Sequence, residues 1–153
     1  MQFWLMKSEP SVFSIKDLQS LPQQRSRWEG VRNFQARNYL RTMQVGDQSF
    51  FYHSSCTPPG IVGVVEIVRS AYPDDTAWSS TSAYYDARAT PENSIWVQVE
   101  VQLVAVWNEI LSLEQLKLQE ENWGVFPLLQ RGNRLSIIPV TPAQWDRIHH
   151  LHI

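Results

Sequence analysis

The plainest pattern lies over residues 95–107. Val97, Val99, Val101 and Leu103 fall on one face, and Gln98, Glu100 and Gln102 on the other, the period of two of a strand with one polar side. Residues 61–68 (IVGVVEIV) are β-branched and almost wholly apolar and read as a central strand. Gly63 within it marks a bulge or the close approach of another backbone. Residues 48–54, with Phe50, Phe51 and Tyr52 in a row, read as a third strand, residues 2–7 as an N-terminal one and residues 134–140 as the last. Helices announce themselves by caps. Ser14 precedes residues 15–21 with Asp17 in the first turn, and Asn33 precedes residues 34–43. Ser112–Gln115 and Thr141–Gln144 are capping boxes. They open a helix to about Glu120 and, with Pro142 at its first position, a C-terminal one through His150. Residues 123–129 read as an apolar helical turn interrupted by Pro127.

Between these lie residues 23–27, a polar loop with two arginines, and residues 72–93, a long loop carrying Trp78, Tyr84, Tyr85, Asp86 and Arg88. Loops of that length are usually functional or disordered, and the rings argue against disorder. The stretch 28–54 holds a short helix between two segments that read as strand, and the rest of the chain is organised around it. Five to six strands with four or five short helices make an α+β chain. The strands are too few and too mixed for a doubly wound sheet, so a small closed or nearly closed barrel with helices at its edges is expected.

Composition adds one unusual feature. A chain of 153 residues is a single domain (1–153), but it holds seven Trp, five Tyr and six Phe. Such rings fill a small barrel core, or a minority of them line a pocket for a flat ligand. The net charge of −2 excludes a protein that coats nucleic acid by bulk charge. Locally, Arg25, Arg27, Arg32, Arg37 and Arg41 stand against Glu29 alone. They read either as a solvated face or as a phosphate-binding surface beside a helix N-terminus. The single cysteine, Cys56, excludes an internal disulfide. No run approaches the ~18 apolar residues of a membrane span, and no signal-peptide pattern is present. A soluble cytoplasmic protein with no membrane contact is the expectation.

Catalytic patterns are missing. There is no Walker or dinucleotide glycine loop, no GxSxG and no HExxH. His53 and Cys56, without a second such pair, do not make a metal site, and His149, His150 and His152 read as solvent-facing. No metal and no cofactor is expected. Glu9, Glu66 and Asp86 could act as acid or base, but nothing in the sequence brings two of them together. A binding module is therefore the default, suited to a planar heteroaromatic ligand stacked on Trp or Tyr and read along its edge by Asn, Ser and His. A base bound so has to leave its duplex or come from a single strand.

Residues 4–10 (WLMKSEP), then Trp28-x-Gly30-Val31-Arg32-Asn33-x-Gln35-Ala36-Arg37-Asn38-x-Leu40-Arg41-x-Met43, Gly46-Asp47, Tyr52-His53-Ser54 and Gly60-Ile61-Val62-Gly63 together resemble the EVE domain family. Tyr84-Tyr85-Asp86, Trp96-Val97, Arg134-Leu135-Ser136 and Pro139-Val140-Thr141 extend the likeness over nearly the whole chain. The resemblance implies a PUA-like mixed β pseudo-barrel with short flanking helices, related to YTH domains. It also implies a pocket for a modified base, with modified cytosine in DNA favoured and RNA the other substrate. Carried onto this chain, the pocket candidates are Trp4, Lys7, Ser8, Trp28, Val31, Asn33, Tyr52, His53 and Ser54, with Trp78, Tyr84 and Tyr85 at the rim. Arg25, Arg27, Arg32, Arg37 and Arg41 would meet the nucleic-acid backbone. Several of these have a purely structural reading: Trp4 and Tyr52 as core rings, Asn33 as a helix cap, Ser8 as a strand end. Residues 76–83 are Ser- and Thr-rich and residues 123–126 aromatic, a departure from many family members that is expected to alter the rim and the ligand choice. The function implied is a non-enzymatic reader of modified nucleic acid. Beside it stand a domain for a free nucleotide or other small molecule, and a small hydrolase of a base or nucleotide using Glu9 or Asp86.

Overall fold

The structure, a computed structural model, describes residues 1–119 and 123–152. Six strands form one mixed sheet: β1 (Phe3–Ser8), β2 (Arg25–Trp28), β3 (Gln48–His53), β4 (Gly60–Pro73), β5 (Val97–Ser112) and β6 (Ile137–Val140). Their order is β2-β5-β4-β3-β1-β6. β1 and β3 run parallel at the centre, Leu5 beside Phe50 and Lys7 beside Tyr52, and the other pairings are antiparallel. Among the described residues four α-helices accompany the sheet: α1 (Ile15–Ser20), α2 (Phe34–Thr42), α3 (Leu113–Lys117) and α4 (Pro142–His152).

Strand alternation sorts the aromatic residues into two cores. Trp4, Met6, Trp28 and Phe51 point to one face and pack with Ile15, Leu18, Ala36 and Leu40 of α1 and α2. Leu5, Phe50 and Tyr52 point to the other and pack with Trp107, Leu116, Trp123, Trp145 and Ile148. The sheet is thus covered on both faces, which is why its middle strands read as near-continuous apolar runs.

The expected closure of the barrel is not reached. β2 and β6 are free edges, and the sheet stays open. It does curl, because α2 packs against β4 and β5 towards one edge and against β6 at the other. Strands lie about 4.8 Å apart, so a flat sheet could not offer both to one helix.

Four expectations need correction. Residues 25–27, read as loop, belong to β2 and pair with β5, Arg25 opposite Gln102 and Trp28 opposite Val99. A four-residue edge strand whose arginines reach solvent has no apolar alternation to reveal it. The residues after Trp28, read as strand, are irregular: Gly30 has φ +85°. The last strand begins at Ile137 rather than Arg134. The C-terminal histidines are not all solvent-facing, since the His152 ring stacks on Trp107 at 3.8 Å.

The caps hold. Ser14 and Asp17, and Ser112 and Gln115, form reciprocal capping boxes. Asn33 Oδ1 accepts from the Ala36 N–H at 2.9 Å. Thr141 and Gln144 bond reciprocally at the start of α4. The expected end of α3 at Glu120 lies outside the described residues. Gly63 is a place of close approach: a Cβ there would overlap the Ala105 carbonyl oxygen and Ile15 Cδ1, and the β4–β5 register shifts beside it. Among the described residues no helix is long and apolar enough to cross a membrane.

Candidate functional site

The C-terminal end of β1 and the segment after β2 face each other across a cavity of ≈ 680 Å³, within the usual size range of ligand sites. Lys7, Ser8 and Glu9 come from the end of β1, and Val12 and Phe13 from the turn before α1. Trp28 to Arg32 form the opposite wall, Ser54 and Ser55 lie at the end of β3, and Tyr84, Arg134 and Ser136 complete the rim. Trp28 is the fixed ring. Its plane stands edge-on to Phe51 at 5.3 Å and 81° and to Phe13 at 6.3 Å and 82°, and only 6% of it is exposed.

Each wall is tied to the scaffold. Ser8 Oγ donates to the Phe13 carbonyl at 2.6 Å, closing the turn that carries Val12 and Phe13. His53 Nε2 accepts the Ile15 N–H, the first of α1, at 3.1 Å. That bond requires an unprotonated Nε2, and burial lowers the His53 pKa in the same sense, against an opposing pull from Asp17. On the far wall Asp74, with no exposed surface, accepts from the Gly30 N–H at 2.9 Å, from Arg32 Nη1 at 3.0 Å and from the Thr76 N–H and hydroxyl. Burial pushes the Asp74 pKa up, but the hydrogen bonds from Thr76, Gly30 and Arg32 outweigh it and hold the carboxyl below its ordinary value. Arg32 also donates to the Tyr84 carbonyl at 2.9 Å, so the long loop is strapped to the pocket wall. Only glycine fits beneath it: a Cβ on Gly30 would stand 2.7 Å from Tyr84 Cε1 and Cζ. The loop has its own small core of Ala77, Ala89 and Trp96, with Phe34 stacked on Trp96 at 4.8 Å.

Of the residues singled out from sequence, Lys7, Ser8, Trp28, Val31, Ser54 and Tyr84 line the cavity. The others lie elsewhere. Trp4 is buried, its Nε1–H donating to Asp47 at 3.2 Å. Asn33 caps α2, and His53 holds α1. Tyr52 belongs to the opposite face of the sheet, where burial, with the Cys56 charge, pushes its pKa up to about 12. Trp78 is half-buried in the long loop, and Tyr85 is exposed. Phe13, Gly30, Ser55, Arg134 and Ser136 border the cavity without having been singled out as ligand contacts. Arg134 and Ser136 were masked by the strand reading of their segment.

The arginines do not stand against Glu29 alone. Arg25 pairs with Glu100, Arg27 with Glu29 and Asp75, and Arg32 with Asp74, so folding supplies three carboxylates from distant parts of the chain. Arg37 donates to the Ile95 carbonyl at 3.2 Å. Arg37 and Arg41 have no carboxylate partner among the described residues. Of the three carboxylates named as acid or base candidates, Glu9 borders the cavity and Glu66, on β4, does not. Asp86 instead accepts from Arg88 and from Trp96 Nε1, bonds that hold its pKa well below the usual range. Among the described residues no group of three His, Cys, Asp or Glu side chains is placed to hold a metal.

A second recess of ≈ 580 Å³ adjoins the first and shares Lys7 with it. Burial lowers the Lys7 pKa, and its Nζ lies 5.7 Å from the centre of the Tyr52 ring.

This arrangement has close counterparts. A solved protein from Pseudomonas putida superposes with a TM-score of 0.94 at 50% identity, over 99% of both chains. The human THYN1 protein, solved in complex with 5-methylcytosine-containing DNA, superposes with a TM-score of 0.90 at 40% identity, over 99% of this chain and 98% of that one. Among curated proteins, thymocyte nuclear protein 1 of chicken is 42% identical over 94% of this chain, and that of rat 42% identical over 95%. The chain spans 65% of the chicken protein's length and 71% of the rat protein's. The curled six-stranded sheet and the ordered motifs from Trp4 to Thr141 all fall within residues 2–151, which match the family model described as EVE domain, and the chain belongs to that family.

Proposed function

We propose that this protein is a non-enzymatic reader of a modified base in nucleic acid, with modified cytosine in DNA as the favoured ligand. The observation that carries the reading is the likeness, over nearly the whole of both chains, to the human THYN1 protein solved with 5-methylcytosine-containing DNA. The cavity suits the task. Trp28 offers a held ring for stacking, and the hydroxyls of Ser8, Ser54 and Ser136 with the Lys7 ammonium offer edge contacts. A base that enters it has left its stack, so single-stranded or locally opened DNA binds most readily. Asp86 is tied to Arg88 and Trp96, and the second carboxylate at the cavity, Glu29, is paired with Arg27, which favours binding over hydrolysis. Arg37 and Arg41 remain as backbone contacts on α2.

The test is a titration of matched oligonucleotides carrying cytosine, 5-methylcytosine or 5-hydroxymethylcytosine, as single- and double-stranded DNA and as RNA, at two salt concentrations. The expected result is a preference of about tenfold, ~1.4 kcal/mol, for one modified form. Trp28→Ala should abolish it and Trp28→Phe, which keeps a ring, should weaken it. Equal weak binding to every oligonucleotide overturns the proposal, and a preference confined to RNA overturns the choice of DNA.

A further inference from the structure

We infer that the second recess is the phosphate-binding subsite of this protein, taking the backbone of the strand whose base occupies the first cavity; the inference rests on the reader function proposed above. Lys7, Lys117 and Arg131 line it, and no carboxylate does among the described residues. None of the three forms an ion pair with a described residue, whereas Arg25, Arg27, Arg32, Arg69 and Arg88 all do. Three of the five arginines that sequence places around α2 are therefore spent on internal pairs, while Lys7, Lys117 and Arg131 meet around one recess without a carboxylate partner among the described residues. A paired arginine gains little from a phosphate, because the new contact replaces a carboxylate already held. An unpaired cation in a recess releases counterions when a phosphate arrives.

The neutral lining supports the same ligand. Gln130 and Asn133 contribute amide donors beside Gly132, whose φ of +77° marks a tight turn. Apolar lining comes from Leu113, Leu128 and Leu129, enough to seat a sugar next to the phosphate. The two spaces lie on opposite faces of the sheet and share Lys7 at the end of β1, so a strand with a base in the first cavity would turn round that strand end to set a neighbouring phosphate in the second. Such contacts carry no sequence information. They fix the strand's register while the first cavity reads the base.

The experiment measures binding of a single-stranded oligonucleotide carrying 5-methylcytosine across a range of salt, and separately of free 5-methyl-2′-deoxycytidine, which has no phosphate. The Lys117→Gln, Arg131→Gln double variant should lower the slope of log K against log salt by roughly 0.7 for each of its two lost contacts. At about 0.1 M salt, relative to about 1 M, that amounts to roughly 25-fold weaker oligonucleotide binding. Nucleoside binding should be unchanged, and Lys16→Gln, which removes an exposed cation outside both recesses, should leave the slope as in the unaltered protein. An unchanged slope in the double variant overturns the subsite while leaving the base reader standing. Equal loss of nucleoside and oligonucleotide binding also overturns it, since the change would then have acted through the first cavity. If the unaltered protein binds neither ligand, the reader function fails and the subsite fails with it.

Discussion

Replacing Asp74 with alanine removes a fully buried carboxylate that joins three segments: the end of β4, the Gly30–Arg32 wall and the long loop. Four donors lose their acceptor: the Gly30 N–H, Arg32 Nη1, and the Thr76 amide and hydroxyl. Removing one member of a buried charge pair costs roughly 3–5 kcal/mol, because the other charge is left uncompensated. Arg32 is 22% exposed on its side chain and keeps the Tyr84 and Val31 carbonyls. The cost therefore belongs at the lower end, about 3 kcal/mol. With a urea m-value of ~2 kcal/mol/M, that moves the unfolding midpoint down by about 1.5 M. Asp74→Asn preserves the shape and one acceptor and should lose about half as much. The carboxyl also imposes a pH dependence. Its folded pKa lies below the ordinary value of 3.8, so its stabilisation is complete above that value and is lost as pH falls through the folded one. Equilibrium urea unfolding, followed by Trp fluorescence at neutral pH and near pH 3, measures both effects. A midpoint shift under about 0.4 M, or an Asn variant as damaged as the Ala variant, would refute the clamp.

Gly63→Ala should be among the most damaging single-methyl additions in the chain. The new Cβ meets the Ala105 backbone oxygen and Ile15 Cδ1, and a strand carbonyl cannot rotate aside. Overpacking alone costs ~1–3 kcal/mol, so a thermal melt within a degree of the unaltered protein would contradict the packing described. His53 should make stability fall as pH drops below 6.5. Its folded pKa is lowered, so the stabilisation is complete above the unfolded value and disappears as pH falls through the folded one. Amide exchange at Ile15 should quicken over the same range and His53→Gln should flatten that dependence; protection of Ile15 that ignores pH would show that the bond does not govern α1.

The sequence by itself determined the elements whose signals are local. Ser14, Asn33, Ser112 and Thr141 each bond a backbone amide three residues on, so the caps need nothing from the rest of the fold. Alternation over β5 and the apolar run of β4 reflect burial on fixed faces, and Gly63 stood out because a residue without a Cβ inside a packed strand needs a neighbour to explain it. Half of the pocket candidates reached the cavity because the motifs sit where β1, β2 and β3 end. Tertiary structure alone decided the rest. The polar edge strand β2 exists because β5 offers it a partner, and the sheet remains open because α2 fills the space closure would have taken. Arg25 meets Glu100 and Arg32 meets Asp74 across separations of 75 and 42 residues, and no local pattern encodes such pairs. For the same reason three of the five arginines that looked free in the sequence are bound in the fold, and the three cations at the second recess, Lys7, Lys117 and Arg131, come together only through the fold.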